Sequence, residues 1–309
     1  NNKNIKKVKN GYGVNENLNL FNKAKNAQHR GDFVQAAKIY NILLGKNYRT
    51  EQFFLNYGLV CQNLKDTNSA ISLFKEAIKI NPNNFIPFFK MGFVLNNKNK
   101  FYEAYPFAKK AIDLNPNLWQ GYHNLIKILI NLNRPIEAIN IAKTAKNLFS
   151  DNYLFSNLLG EIYSSIGNFE EAEKFYKISI SLAPNDDEAL YSFAYFLMGI
   201  GNKKDPIKFL NKALDKNPYH SISYFSLSTI IDVKKNQDIK NKIIDLKINN
   251  FKTNEDRFNI LFSKAHIYHK LKEFKKSLDA LVKGSVNQVN SLANSFSRNK
   301  EYEWLLKTY

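Results

Sequence analysis

Four prolines recur at multiples of a single interval, and this regularity constrains the fold more than any other feature of the chain. Pro82, Pro116, Pro184 and Pro218 are separated by 34, 68 and 34 residues. Each follows a run with helical periodicity, and a proline there ends one helix because it lacks an N–H and clashes with the preceding turn. The spacing predicts a chain of repeated 34-residue units. Their first residues would be Asn17, Glu51, Phe85, Trp119, Tyr153, Asp187 and Ser221.

Small residues fall at fixed positions of this unit. Two antiparallel helices approach closely where alanine or glycine removes bulk, so each unit is expected to be a helix–turn–helix. One such unit cannot bury its apolar face alone, and neighbouring units should therefore stack. The small residues are Ala24, Gly58, Gly92, Gly160 and Ala194 at position 8, and Ala36, Ala70, Ala104, Ala138 and Ala172 at position 20.

The register of the repeat breaks after Ile231. Residues 232–254 keep a helical period but lose the alanines, and a further unit resumes near Phe258 with Lys272-Glu273-Phe274 as its turn. The predicted organisation is a polar N-terminal segment at 1–16, six regular units at 17–220, a degenerate unit at 221–257, a final unit at 258–286, and a C-terminal helix or linker at 287–309 that ends in Trp304, Leu305 and Leu306.

These positions resemble the tetratricopeptide repeat family. The resemblance implies an all-α fold, a right-handed superhelix (α–α solenoid) of about eight helix–turn–helix repeats. The matching residues are Tyr57, Gly58, Ala70, Phe74, Ala77 and Pro82, then Gly92, Phe101, Ala104, Ala111 and Pro116, and then Gly160, Tyr163, Phe169, Ala172, Tyr176 and Pro184.

The resemblance also implies that the first helix of each unit lines a concave groove. Amide side chains there could donate to and accept from a peptide backbone, and rigid aromatic rings would add contact area at low entropic cost. We therefore expect an extended peptide or a partner protein as the ligand. The predicted groove residues are Gln62, Asn63, Phe89, Phe93, Asn96, Asn97, His123, Lys127, Asn131, Asn157, Tyr191, Tyr195, Phe262, His266 and His269.

The formal charge of +18 does not by itself indicate nucleic acid. Of the 45 basic residues only five are arginine, whereas phosphate sites favour the bidentate guanidinium. A solvated lysine surface is the favoured interpretation. An acidic protein or glycan partner comes next, and nucleic acid or an anionic membrane last.

The sequence contains no recognisable catalytic motif. A Gly-rich phosphate loop, HExxH, GxSxG and the kinase set are all missing. His266 and His269 could share a metal ion, but no third ligand is evident near them. We expect no metal, no cofactor and a non-enzymatic scaffold.

Cysteine usage and hydropathy suggest a compartment. Cys61 is the only cysteine, which fits a reducing environment and a core position. No stretch approaches the ~20 apolar residues of a membrane span, and residues 1–16 have no apolar leader core. We expect a cytoplasmic protein of undetermined oligomeric state.

A second resemblance suggests an alternative. Residues 257–285 are similar to the last helical pair of bacterial proteins that fuse tetratricopeptide repeats to a sulfotransferase. The similarity implies that this chain could be the acceptor-recognition or assembly region of such an enzyme, with the catalytic domain beyond Tyr309. The fitting residues are Arg257, Phe258, Phe262, Leu271, Phe274, Ser277, Leu278 and Gly284.

Overall fold

The structure, a computed structural model, describes the backbone of residues 2–202 and 204–297 and the side chains of 16–202 and 204–285. Within these ranges the chain forms sixteen α-helices and one 3-10 helix, so the predicted all-α fold is confirmed. None of the described helices is both long and apolar enough to cross a membrane. The chain divides into two compact units, Asn1–Ser150 and Asp151–Tyr309.

The first unit is a stack of four helix pairs. Its first helix starts well before Asn17, so most of the polar N-terminal segment lies on this helix. The helices are α1 Asn2–His29, α2 Phe33–Gly45, α3 Glu51–Asn63, α4 Thr67–Ile80, α5 Phe85–Asn97, α6 Phe101–Leu114, α7 Trp119–Asn131 and α8 Pro135–Leu148.

The second unit begins with two regular pairs and ends with an irregular segment and a long pair. Its last helix covers part of the predicted C-terminal segment, and Trp304, Leu305 and Leu306 lie outside the described residues. The helices are α9 Tyr153–Ser165, α10 Phe169–Leu182, α11 Asp187–Gly199, α12 Asp205–Lys216, α13 Ser221–Ile230, α14 Gln237–Asp245, the 3-10 helix Ile248–Asn250, α15 Asn254–Lys270 and α16 Phe274–Ser297.

The turn inside each regular pair has one recurring geometry. In the α3–α4 turn Lys65 has φ +63°. Its N–H donates to the Gln62 carbonyl at 3.1 Å, and the next N–H, of Asp66, donates to the Cys61 carbonyl at 2.9 Å. This pair of bonds satisfies carbonyls that the helix end would leave open. The left-handed residue falls at the same position in the turns of the six regular pairs and of the α15–α16 pair: Gly31, Lys65, Asn99, Asn133, Gly167, Gly201 and Lys272.

Glycine at position 8 lets the second helix of a pair approach the first. A Cβ on Gly58 would lie 2.5 Å from a ring carbon of Phe74, and one on Gly160 would lie 2.9 Å from the ring of Tyr176. No real Cβ tolerates such distances, so the aromatic ring fills the space that the glycine leaves. The alanines at position 20 in both units are fully buried.

The degenerate unit lacks the recurring turn. Helix α13 has ten residues, where α3 and α9 have thirteen. It ends in an extended residue, Ile231, with φ −71° and ψ 145°. The Lys270 ammonium of α15 donates to the carbonyls of Thr229 at 2.8 Å and Ile231 at 2.9 Å. A side chain from the following pair thus satisfies the helix end that the missing turn leaves open.

Two further cationic side chains of α15 donate hydrogen bonds to backbone carbonyls of the chain between α14 and α15. Lys264 Nζ donates to the Leu246 carbonyl at 2.7 Å, and Arg257 Nε donates to the Phe251 carbonyl at 2.9 Å. Phe251 and Ile243 belong to the buried core of this region. The segment is therefore packed against α15 even though its repeat pattern is lost.

Candidate ligand-binding groove

The predicted groove residues fall into two sets, one in each compact unit. We define the first groove face as Gln62, Asn63, Phe89, Phe93, Asn96, Asn97, His123, Lys127 and Asn131, which lie on α3, α5 and α7. We define the second groove face as Asn157, Tyr191, Tyr195, Phe262, His266 and His269, which lie on α9, α11 and α15.

Two amides of the first groove face bond to their own helices. Asn63 Nδ2 donates to the Leu59 carbonyl at 2.9 Å, and Asn131 Nδ2 donates to the Lys127 carbonyl at 2.9 Å. Both bonds satisfy carbonyls in the last turn of a helix. The amide nitrogens of these two residues are therefore engaged within the protein.

Other amides connect neighbouring helices. Asn96 Nδ2 of α5 donates to Asn124 Oδ1 of α7 at 3.0 Å. In the second unit, Asn157 Nδ2 of α9 donates to Ser192 Oγ of α11 at 3.2 Å. Asn124 is 4% exposed, so this contact lies below the surface. These amides join the helices that carry the groove faces, a role that the sequence pattern did not reveal.

Aromatic pairs supply the exposed apolar surface of both faces. Phe89 and Phe93 lie one turn apart on α5 with ring centroids 6.4 Å apart. Tyr191 and Tyr195 have the same spacing on α11, and their rings stack at 6.0 Å with an interplanar angle of 29°. Tyr195 is 62% exposed and Phe93 38% exposed. Both pairs occupy positions 5 and 9 of their repeats.

A lysine that is not among the predicted groove residues lies beside the first pair. Lys90 Nζ lies 5.5 Å from the ring centroid of Phe89, a cation–π contact. Burial lowers the pKa of Lys90. Its signal in the sequence is position 6 of the repeat, where the flanking units carry Asn56 and Asn124.

Helix α13 contacts residues of the second groove face, although the repeat that it begins was predicted to be degenerate. Tyr191 bonds to Ser226, and burial raises the pKa of the Tyr191 hydroxyl. The rings of Phe225 and His266 are 5.4 Å apart. Ser228 Oγ lies 3.2 Å from His266 Nδ1. The available signal was Phe225 itself, an aromatic residue at position 5 of its unit.

The two predicted groove histidines have different surroundings. His266 bonds to Ser228, whereas the ring of His269 lies 5.5 Å from that of Phe274. Burial lowers the pKa of His266, and the nearby charges of Lys270 and His269 lower it further. Among the described side chains there is no group of three or more His, Cys, Asp or Glu residues that could hold a metal ion.

Family comparison agrees with the repeat register. Residues 51–84 and 155–186 match the tetratricopeptide repeat model. The first stretch contains α3 and α4, and the second contains most of α9 and all of α10. No curated protein matches the chain.

Solved structures extend the agreement to most of the chain. A tetratricopeptide repeat protein from Parabacteroides merdae superposes with a TM-score of 0.66 at 15% identity, covering 85% of this chain and 98% of that one. The fold is a solenoid of tetratricopeptide-type repeats.

Two shorter solved structures share this solenoid fold. A thermophilic tetratricopeptide repeat protein from Thermus thermophilus, TTC0263, has a TM-score of 0.50 at 19% identity, and the alignment covers 59% of this chain and 98% of that one. The MamA RS-1 ArsTM double mutant has a TM-score of 0.51 at 17% identity, with 54% and 93% covered. The sulfotransferase alternative has no support from these comparisons and stays a prediction.

Burial makes the single cysteine of the solenoid unreactive. Cys61 lies on α3 and is 4% exposed. Burial, with a smaller effect from the Asp66 carboxylate, raises the pKa of the Cys61 thiol to about 11. The thiol is therefore protonated at neutral pH and does not act as a nucleophile.

Proposed function

We propose that this chain is a non-enzymatic scaffold that binds an extended peptide, or an extended segment of a partner protein, across the first helices of its repeats. The observation that supports the proposal most directly is the Tyr191–Tyr195 pair. Tyr195 is 62% exposed and stacked on its neighbour. A large ring held rigidly at the surface supplies contact area at low entropic cost.

Recognition would rest on rings rather than on amides. Four amides of the two faces already bond within the protein, namely Asn63, Asn96, Asn131 and Asn157. The pairs Phe89–Phe93 and Tyr191–Tyr195 keep exposed ring surface. Apolar or aromatic side chains of the ligand would contact these rings. Lys90 adds a positive charge beside the first pair, which favours an acidic ligand residue there.

The helix spacing limits the ligand conformation. Packed helices lie about 8–10 Å apart, and an extended chain advances about 3.3 Å per residue. An extended peptide would therefore cross one repeat about every three residues. A segment of about twelve residues would cross the first helices of the four repeats in one compact unit.

The test starts from peptides chosen by the protein itself. Random peptides of about twelve residues displayed on phage are selected on the wild-type chain, synthesised with a fluorescein label, and titrated by fluorescence anisotropy. Tyr195→Ala and Phe93→Ala should each weaken the peptides that use that face by about tenfold or more. Circular dichroism checks that helix content is unchanged.

Tyr102→Ala is the matched control. Tyr102 is 84% exposed but lies on α6, the second helix of its pair. Its loss should change the Kd by less than about twofold. The proposal is wrong if the Tyr195→Ala, Phe93→Ala double variant binds every selected peptide as tightly as the wild type does.

A further inference from the structure

The hydrogen bonds around His266 determine which ring nitrogen carries its proton. Ser228 Oγ lies 2.7 Å from the Phe225 carbonyl and donates to it. A hydroxyl has one hydrogen, so toward His266 Nδ1, at 3.2 Å, the same oxygen can only accept. The neutral imidazole of His266 is therefore protonated at Nδ1, and its lone pair lies on Nε2.

The charged neighbours of His266 favour this neutral form. On its own helix the titratable neighbours are Lys270 and His269. Burial is the largest cause of the lowered pKa of His266, and the charges of these two residues lower it further. From helix α13 the uncharged Phe225 and Ser228 contact it. Asp232, beyond the end of α13, acts on Lys270. The ring thus faces cations and neutral groups.

The lone pair of Nε2 is open to a ligand. Nε2 has no partner among the described residues, and it is not one of the fully buried atoms without a hydrogen bond. The ring is half-buried and fixed from two sides, by the Phe225 ring and by Ser228. The acceptor is therefore held in one orientation on the second groove face.

We propose that Nε2 of His266 accepts a hydrogen bond from a neutral N–H group of the ligand, a peptide amide lying over the Phe225 ring. This inference rests on the proposed peptide-binding function and adds the chemistry of one contact. An ammonium or guanidinium donor is disfavoured because Lys270 lies one turn away on the same helix face. A carboxylate has no hydrogen to donate.

The tautomer is tested on the free protein, independently of any ligand. Long-range ¹H–¹⁵N correlation spectra at about pH 8 distinguish the two neutral forms, and the His266→Gln spectrum identifies the signal. We expect the Nδ1–H form. An Nε2–H form overturns the inference, because that nitrogen would then be a donor.

The contact is tested with selected peptides whose binding requires Tyr195. Protonation converts Nε2 into a donor, so wild-type affinity should fall as the pH drops from about 8 to below about 6.5. Because the pKa of His266 is lowered, the fall should be smaller than about tenfold at about pH 5.5 and should steepen below it. His266→Phe keeps a ring against Phe225 but has no acceptor. It should bind about tenfold more weakly at pH 8 and show no pH dependence.

His29→Gln, an exposed position on α1 that belongs to neither groove face, is the control and should retain the pH dependence of the wild type. Wild-type binding that does not vary with pH, or an unchanged pH dependence in His266→Phe, overturns the inference. Peptides that need Tyr195 but ignore pH would contradict only the His266 contact. Selected peptides that depend on Phe93 but never on Tyr195 would likewise overturn only the His266 contact, whereas peptides that depend on neither ring would contradict the proposed function.

Discussion

The ring of Phe74 occupies the space where a side chain on Gly58 would begin. The closest ring carbon lies 2.5 Å from an ideal Cβ at position 58, and Phe74 itself is fully buried. The two residues lie on the paired helices α3 and α4, and they fix how closely those helices pack. Gly160 and Tyr176 repeat the relationship in the second unit.

Gly58→Ala should therefore destabilise the first unit. Overpacking of this kind costs about 1–3 kcal/mol, more than the ~1 kcal/mol by which alanine favours a helix over glycine. Urea unfolding followed by circular dichroism measures the change. The control is Gly45→Ala on α2, where a Cβ meets nothing within 4 Å. Equal effects of the two substitutions would contradict the packing argument.

Lys65→Gly should stabilise the protein, although it removes a side chain. Lys65 has φ +63°, a conformation that costs a non-glycine residue about 1 kcal/mol. Lys272, with φ +64° in the last pair, should behave in the same way. Lys75→Gly, at an exposed position within α4, should instead destabilise by about 1 kcal/mol. Thermal unfolding of the three variants tests whether the signs are opposite.

Lys270→Met should loosen the irregular segment of the second unit. The substitution keeps an apolar stem but removes the donor to the Thr229 and Ile231 carbonyls. Because Lys270 is largely exposed, we expect a loss of only about 1 kcal/mol. Amide hydrogen exchange should accelerate in α13 and α14 before other helices. Lys275→Met, an exposed position on α16, should change exchange little, and general acceleration throughout the unit would argue against a local clamp.

The stability of the second unit should decline on mild acidification. The pKa of His266 is lowered in the folded state, whereas the unfolded side chain titrates near pH 6.5. As the pH falls below about 6.5, the unfolded state binds a proton first, so the free energy of unfolding decreases until the folded pKa is passed. Denaturant unfolding at intervals between about pH 8 and pH 5 measures the slope. His266→Phe should reduce the slope, and an identical slope in this variant would exclude His266 as its source.

Local regularities made much of the fold predictable. The prolines, the small residues at positions 8 and 20 and the turn at Lys272-Glu273 all act within one helix pair, and the structure repeats the same turn in seven pairs. Steric exclusion and helix termination operate over a few residues. They therefore produce a periodic pattern of residues that is visible in a single sequence.

The groove residues were predictable in position but not in role. Their helix and exposure follow from the register, as with Tyr195 and Phe93. Whether an amide is open to a ligand depends on its neighbours. Asn96 meets Asn124 across 28 residues of sequence, and Asn63 bonds to its own helix. Composition alone does not separate these cases.

The amino-acid sequence by itself determined the helical repeat, the positions of the pairs and the sites of close approach, because these depend on local sterics and on a period of 34 residues. Only the tertiary structure decided that α13 joins the second face, that Lys270 closes its end, and that the hydrogen bond to Ser228 orients His266. These contacts join residues about 40 positions apart on helices that are not paired in one repeat. Their formation depends on how the helices are placed relative to one another, which no single-helix pattern encodes.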